Sequence, residues 1–224
     1  MISLELKNVC FRYTHNVQPL ENLNLTINQG EHVAVLGESG VGKSSLLRIV
    51  AGLERVSGGE VFVGGELMSA SSVHIAPEKR NVGMVFQDWA VFPHLSVAEN
   101  IAFGLLCRGR SQGGKDRVDR LLATFELHEF AHRAPHTLSG GQLQRVACAR
   151  ALAPSPRILL LDEAFSSLDL GLRQRVRTQV FDALRSEGVT VLMVTHDPSE
   201  AFECAERVFE LKGGEVQQVI RAAP

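Results

Sequence analysis

The stretch Gly37-Glu38-Ser39-Gly40-Val41-Gly42-Lys43-Ser44 limits what this chain can be more than any other. Its spacing is G-x-x-x-x-G-K-[ST]. The apolar run Val33 to Leu36 precedes it, after Glu31-His32, and a helix-competent segment opens at Ser45 and runs through Val50. Strand, loop and helix therefore follow in the order a P-loop requires. The glycines let the backbone bend tightly and turn successive N–H groups inward, where they and the positive helix end hold phosphate oxygens. Lys43 would then reach the β- and γ-phosphates, and the Ser44 hydroxyl would ligate Mg²⁺.

Composition narrows the remaining classes. At 224 residues the chain is long enough to bury a full core, as one domain or one domain with lobes. A formal net charge of −2 and a pI near 6.4 give no global basic field, so DNA or RNA binding gains no support. Apolar runs such as Ile158 to Leu161 fall far short of the roughly 18 to 20 residues of a bilayer-spanning helix. The start, Met1 to Lys7, alternates like a strand and lacks the long apolar stretch of a signal peptide, which places the chain in the cytoplasm. Cys10, Cys107, Cys148 and Cys204 form no C-x-x-C pair and read as reduced, structural thiols.

Periodicity gives an element order. Strands are expected at Ile2–Leu6, Leu20–Ile27, Glu31–Leu36, Glu60–Val63 and Asn81–Phe86, with a turn at Gly64-Gly65 and a surface loop over Ser69–Ala76. From Ser96 the period changes, and helices are expected at Val97–Leu106, Lys115–Phe125 and Gly141–Leu152, with a loose loop at Arg108–Gly114. Strand and helix then alternate again: Arg157–Leu161, Leu172–Ser186, Val189–Val194, Ser199–Ala205, and the closing strands Arg207–Leu211 and Glu215–Ile220. Such alternation implies a doubly wound parallel sheet with a helical lobe inserted in it.

Two further constellations carry chemistry. Ile158-Leu159-Leu160-Leu161-Asp162-Glu163 ends a buried strand on two carboxylates. Asp162 takes the Walker B role, holding the magnesium ion through water. Glu163, one residue on in an extended chain, points the other way and would polarise an attacking water. Leu138-Ser139-Gly140-Gly141-Gln142 ahead of a helix makes a second anion-binding surface, with a hydroxyl and no lysine.

Leu-Ser-Gly-Gly-Gln together with the P-loop and the Asp162-Glu163 strand resembles the ATP-binding cassette ATPases, and the likeness covers nearly the whole chain. Tyr13 resembles the aromatic on which that family stacks adenine, and Gln87 the Q-loop glutamine near magnesium and water. Ser166-Ser167-Leu168-Asp169 resembles the D-loop, and His196 the switch histidine at the γ-phosphate. The resemblance implies an α/β P-loop NTPase, RecA-like, with a parallel-sheet core, an antiparallel β subdomain and an inserted helical subdomain. It implies a single nucleotide-binding domain over 1–224, with roughly 1–87 and 153–224 as core and 88–152 as the helical part. Catalysis would fall to Glu163, His196, Gln87 and Lys43. ATP would lie on Tyr13, Gly37 to Ser45 and Asp162, with Ser139, Gly140, Gly141, Gln142 and Asp169 supplied across a head-to-tail dimer. Mg²⁺ would meet Ser44, Gln87 and Asp162.

The same likeness implies separate transmembrane permease subunits and a solute-binding protein as partners. It implies a homodimer or a pair with a paralogue, peripheral to the cytoplasmic face of a bacterial inner membrane and working as an importer. A soluble cassette acting on ribosomes or DNA is the rival reading. Asp88 to Asn100 resembles the region after the Q-loop that receives a short helix of the membrane subunit; Trp89 and Phe92 either meet that partner or pack beneath the helical lobe. Ala164 stands where the family usually has proline, which frees the backbone after Glu163. Many importer ATPases of the sugar, sulphate, polyamine and iron groups carry a further C-terminal regulatory domain, which these residues do not include. His128-Glu129-Phe130-Ala131-His132 matches H-E-x-x-H, but Pro135 cuts any helix short and His136 is off the longer metalloprotease spacing, so zinc chemistry is set aside.

Overall fold

Three strands, apolar on both faces, set the sheet on which the phosphate loop is mounted. In the computed structural model, which describes residues 1–13, 19–106 and 114–219, these are β3 (His32–Leu36), β7 (Ile158–Asp162) and β8 (Thr190–Thr195). Almost every residue in them is buried, the condition of strands covered on both sides. β8 lies between β3 and β7 and is parallel to both. β9 (Arg207–Lys212) adds in parallel to β3, and β10 (Glu215–Val219) turns back antiparallel through Gly213-Gly214. With β6 (Val82–Val85) the order is β10-β9-β3-β8-β7-β6. The expected parallel sheet is thus present, with one antiparallel edge. Cys107, the expected loop from Arg108 up to position 113, and Ile220 lie outside the described residues.

A second sheet, antiparallel throughout, has the order β2-β1-β4-β5 from Leu20–Asn28, Ile2–Phe11, Gly58–Val63 and Glu66–Ser69. Its inner face supplies Leu4, Leu6, Leu23, Ile27, Val61 and Val63 to one apolar cluster, shared with Leu46, Leu47, Ile49 and Val50 of α1 (Lys43–Ala51). Nine residues make a marginal helix alone. Full burial of those four side chains, at about 1.5 to 3 kcal/mol each, is what fixes it.

The strand β5 and its surroundings depart from the expected surface loop. Gly64 and Gly65, both at positive φ, make a two-residue hairpin that returns the chain as β5. Ser69 is fully buried and bridges to His74. The cause is Arg80, itself fully buried. Its guanidinium donates to Ile75 O at 2.7 Å, Ile49 O at 2.9 Å and Ser69 Oγ at 2.7 Å, and also reaches Met68 O and Val50 O. Burial pushes its pKa down to about 10. The carbonyls of Ile49 and Val50 lie in the last turn of α1, where the Gly52 N–H also donates to Ile49 O at 3.1 Å. Arg80 therefore caps the helix whose other end starts at Lys43. Gly52 is obligatory beside it, since φ there is 84° and a Cβ would run into Arg80 Nε.

The two sheets, α1 and α6 (Pro198–Cys204) form one compact unit of Met1–Met84, Arg157–Glu163 and the chain from Val189 onward. The other unit, Val85–Pro156 with Ala164–Gly188, holds α2 (Val97–Leu106), α3 (Gly114–Thr124), α4 (Gly140–Leu152) and α5 (Leu170–Ser186). Among the described residues no helix is long and apolar enough to cross a membrane. The H-E-x-x-H segment forms a 3-10 turn at His128–Phe130, so its two histidines are not stacked on one α-helical face. Replacing Arg80 by alanine removes its hydrogen bonds to Ile75 O and Ser69 Oγ and opens a cavity; the expected loss is about 3 kcal/mol or more, read as a lower denaturation midpoint at unchanged slope.

Candidate functional site

The loop between β3 and α1 is shaped by two glycines at left-handed φ, 83° at Gly40 and 117° at Gly42. At Gly42 a Cβ would also come within 2.9 Å of Pro19, and at Gly37 within 2.8 Å of Val41 Cγ1. The loop tip, Glu38 to Gly40, is exposed, while Lys43 is buried with 4% of its side chain accessible. Its ammonium donates to Gly37 O at 2.8 Å and Glu38 O at 2.9 Å, and Glu163 Oε1 lies 3.4 Å away. A buried ammonium needs such oxygen partners, because an unmet one costs several kcal/mol. In the first turn of the helix, Ser44 Oγ donates to Asp162 Oδ1 at 3.0 Å, and Tyr13 OH meets Ser45 Oγ at 2.9 Å. The Tyr13 ring stands edge-on to Phe11 and is about half exposed.

Glu163 is placed differently from the extended residue expected. Its φ is 43°, in the left-handed region, and its N–H donates to Val194 O at 3.1 Å. The strand ends at Asp162, so the backbone turn, not strand alternation, aims the Glu163 carboxylate. One oxygen faces Lys43; the other lies 3.1 Å from His196 Nδ1. A carboxylate only accepts, so Nδ1 of His196 carries the hydrogen. Asp162, beside it, has its pKa raised by burial and by the Glu163 charge, against the Ser44 hydrogen bond and the nearby Arg48 and Lys43 charges. An open cleft of about 500 Å³, lined in part by Gly37, Glu38, Ser39, His196 and Phe202, adjoins this group. Tyr13, the whole loop, Asp162, Glu163 and His196 therefore meet in one unit.

Gln87, Ser139 to Gln142 and Asp169 belong to the helical unit. Ser139 caps α4 in a reciprocal box: its Oγ accepts from Gln142 N, and its own N–H donates to Gln142 Oε1 at 2.8 Å. Because the hydroxyl oxygen accepts there, its O–H stays available to donate. The first N–H groups of the helix add to that donor set. Gly140 and Gly141 are small for packing reasons: a Cβ on Gly140 would sit 3.2 Å from both Leu168 Cδ2 and Trp89 Cη2, and one on Gly141 2.7 Å from Val176 Cγ2. The Gln87 carbonyl accepts from Ser167 Oγ at 3.1 Å, and Asp169 starts α5 without a side-chain cap bond. Within the helical unit Trp89 lies near Gly140, and Phe92 packs on Phe103 with centroids 4.4 Å apart, while both side chains stay partly exposed. Arg150, which holds the carbonyls of Trp89 and Ala90, was not singled out from sequence, where its only signal is a basic residue in the last turn of a helix.

Comparison with known proteins agrees with this geometry. The family model for the ABC transporter matches residues 20–166. The spermidine/putrescine import ATP-binding protein PotA of Pseudomonas fluorescens is 43% identical over 222 residues, covering 97% of this chain and 60% of that protein. The Fe(3+) ions import ATP-binding protein FbpC of Escherichia coli O157:H7 is 43% identical over 217 residues, covering 96% and 61%. The chain thus spans about three fifths of the length of these relatives. Among solved structures, the dimeric post-hydrolysis state of an ATP-binding cassette bound to ADP and Pi aligns with a TM-score of 0.81 at 33% identity, covering 98% of this chain and 99% of that one. The cbiO1 protein of Clostridium perfringens, part of the ABC transporter complex cbiONQ, aligns at 0.84 with 27% identity, covering 97% and 88%. With the family model matching about two thirds of the chain and its phosphate loop, strand-end carboxylates and capped glycine helix all in place, this protein is an α/β P-loop NTPase of the ABC transporter family.

Proposed function

We propose that this chain binds and hydrolyses ATP as the motor subunit of an importer, working as a head-to-tail pair with the nucleotide between the P-loop of one protomer and Ser139–Gln142 of the other. The observation that carries the reading is the convergence of Lys43, Glu163 and His196 at the mouth of the loop, beside the Ser44–Asp162 pair. Lys43 exchanges two carbonyls and a carboxylate for phosphate oxygens, and Glu163 is then free to take a proton. A water oxygen attacks the γ-phosphorus, the bond to the β–γ bridging oxygen breaks, and Glu163, oriented by His196 Nδ1, accepts the water's proton. ADP and phosphate result.

Mg²⁺ fits the residues present. Ser44 Oγ and Asp162 Oδ1 are hard oxygen donors 3.0 Å apart, and among the described residues no group of three His, Cys, Asp or Glu side chains is arranged to hold a metal. A cation there would complete its shell with phosphate oxygens and water, the habit of magnesium, with Gln87 as the further ligand expected from sequence. When bound, it would neutralise charge on the phosphates. Tyr13 supplies the stacking face for adenine.

The whole of 1–224 acts as one nucleotide-binding domain, with 88–152 as its helical subdomain. Its partners are transmembrane permease subunits at the cytoplasmic face of a bacterial inner membrane, fed by a solute-binding protein. The reported relatives PotA and FbpC, both import ATP-binding proteins, support this. A polyamine, a maltose and an iron importer are each 43% identical to this chain, so overall likeness does not select a solute.

Three outcomes test the reading. Glu163→Gln retains ATP binding, lowers turnover by on the order of 10² to 10⁴ and accumulates an ATP-bound dimer on size exclusion; undiminished turnover would remove Glu163 from its role. Gly42→Ala, strained at a φ of 117° and crowded by Pro19, loses nucleotide affinity by roughly tenfold or more in a fluorescent-ATP titration. EDTA brings phosphate release to background, and excess Mg²⁺ restores it.

A further inference from the structure

The backbone just after Gln87 is kinked, and one residue far along α4 holds the kink. Trp89 and Ala90 have φ values of 61° and 46°, a region that non-glycine residues enter only at a steric cost. Their carbonyls turn toward α4. Arg150 Nη1 donates to Ala90 O at 2.6 Å and Nη2 to Trp89 O at 3.1 Å. The same guanidinium lies 5.0 Å from the centroid of Phe92. A planar fork suits two adjacent carbonyls; a single ammonium cannot span them in the same way.

The kinked dipeptide is also fastened at the opposite end of that helix. The edge of the Trp89 indole would stand 3.2 Å from a Cβ on Gly140, a tight contact, and Leu168 approaches the same point equally closely. Gly140 is the first residue of α4 and Arg150 lies in its last turn. The ten-residue separation rises ~15 Å, which the two long side chains span between them. The carbonyl of Gln87 is held separately by Ser167. Hence the position of Trp89 beneath Gly140 depends on a bond made at the other end of the helix.

We infer that Arg150 is a positioning residue for the reaction: by clamping the carbonyls of Trp89 and Ala90 it sets where the indole bears on Gly140, and so where the anion-binding start of α4 stands. It acts without touching nucleotide. The inference rests on the proposed function, because the placement of that helix start matters to turnover only if a nucleotide meets it.

Trp89 is the single tryptophan of the chain, so its emission reports the contact directly. Arg150→Lys keeps charge and aliphatic stem but loses the fork. Expected are a red-shifted Trp89 emission with easier acrylamide quenching, a kcat for MgATP lowered at least fivefold, and a KM for ATP within twofold of wild type. If Arg150→Lys does not fold, Phe92→Leu, which removes the ring under the guanidinium and keeps the fork, shows the same two changes in weaker form. Wild-type emission in the variant that folds overturns the inference. So does shifted emission with unchanged kcat, or a KM that rises in step with the loss of kcat. A wild-type protein that releases no phosphate from MgATP overturns the functional reading, and the role of Arg150 in turnover falls with it.

Discussion

A lysine ammonium in a buried setting has to be surrounded by oxygen, and much of the first unit follows from how Lys43 is supplied. Two of its acceptors are carbonyls of the loop itself, and the third is a carboxylate at the end of β7. For those carbonyls to turn inward, the backbone must pass through left-handed angles at Gly40 and Gly42. For the carboxylate to arrive, β7 must lie one strand away from β3 across β8 and stop at Asp162. For the helix to start at Lys43, its far end must be capped, which Arg80 does from inside the core. In the proposed function a triphosphate would take the place of these acceptors around Lys43.

Glu163 is held by the same arrangement. With one oxygen toward Lys43 and the other at His196, the carboxylate is engaged on both sides. In the proposed reaction, Lys43 turning toward phosphate would leave this carboxylate oriented by a ring N–H. Ala164 after it leaves the backbone without the pre-proline restriction that disfavours helical angles at the preceding residue. The left-handed turn at Glu163 is compatible with that freedom.

Much of this was legible because it is local. The loop spacing, the apolar strand ending at Asp162 and the Ser139 cap each sit within a few residues, and the structure places these on the expected elements, with Glu163 the exception. What sequence did not disclose depends on partners far along the chain. Ser69 reads as part of a polar loop until Arg80 is seen to reach it, and the four-residue β5 is too short for its alternation to register. The turn at Glu163 looks like one more strand residue, since nothing in Asp-Glu-Ala announces a positive φ. The neighbours of Trp89 and Phe92 are not given by local pattern: Gly140 and Arg150 lie some fifty and sixty residues later.

The central claim is that Lys43 hands its charge from the protein to a triphosphate, and phosphate release by the Lys43→Met protein beside wild type tests it most directly. Methionine keeps the stem and removes the ammonium. The account predicts repeated turnover of MgATP by wild type and phosphate release indistinguishable from background in the variant, with the fold retained by circular dichroism. Wild-type rates in Lys43→Met would contradict it.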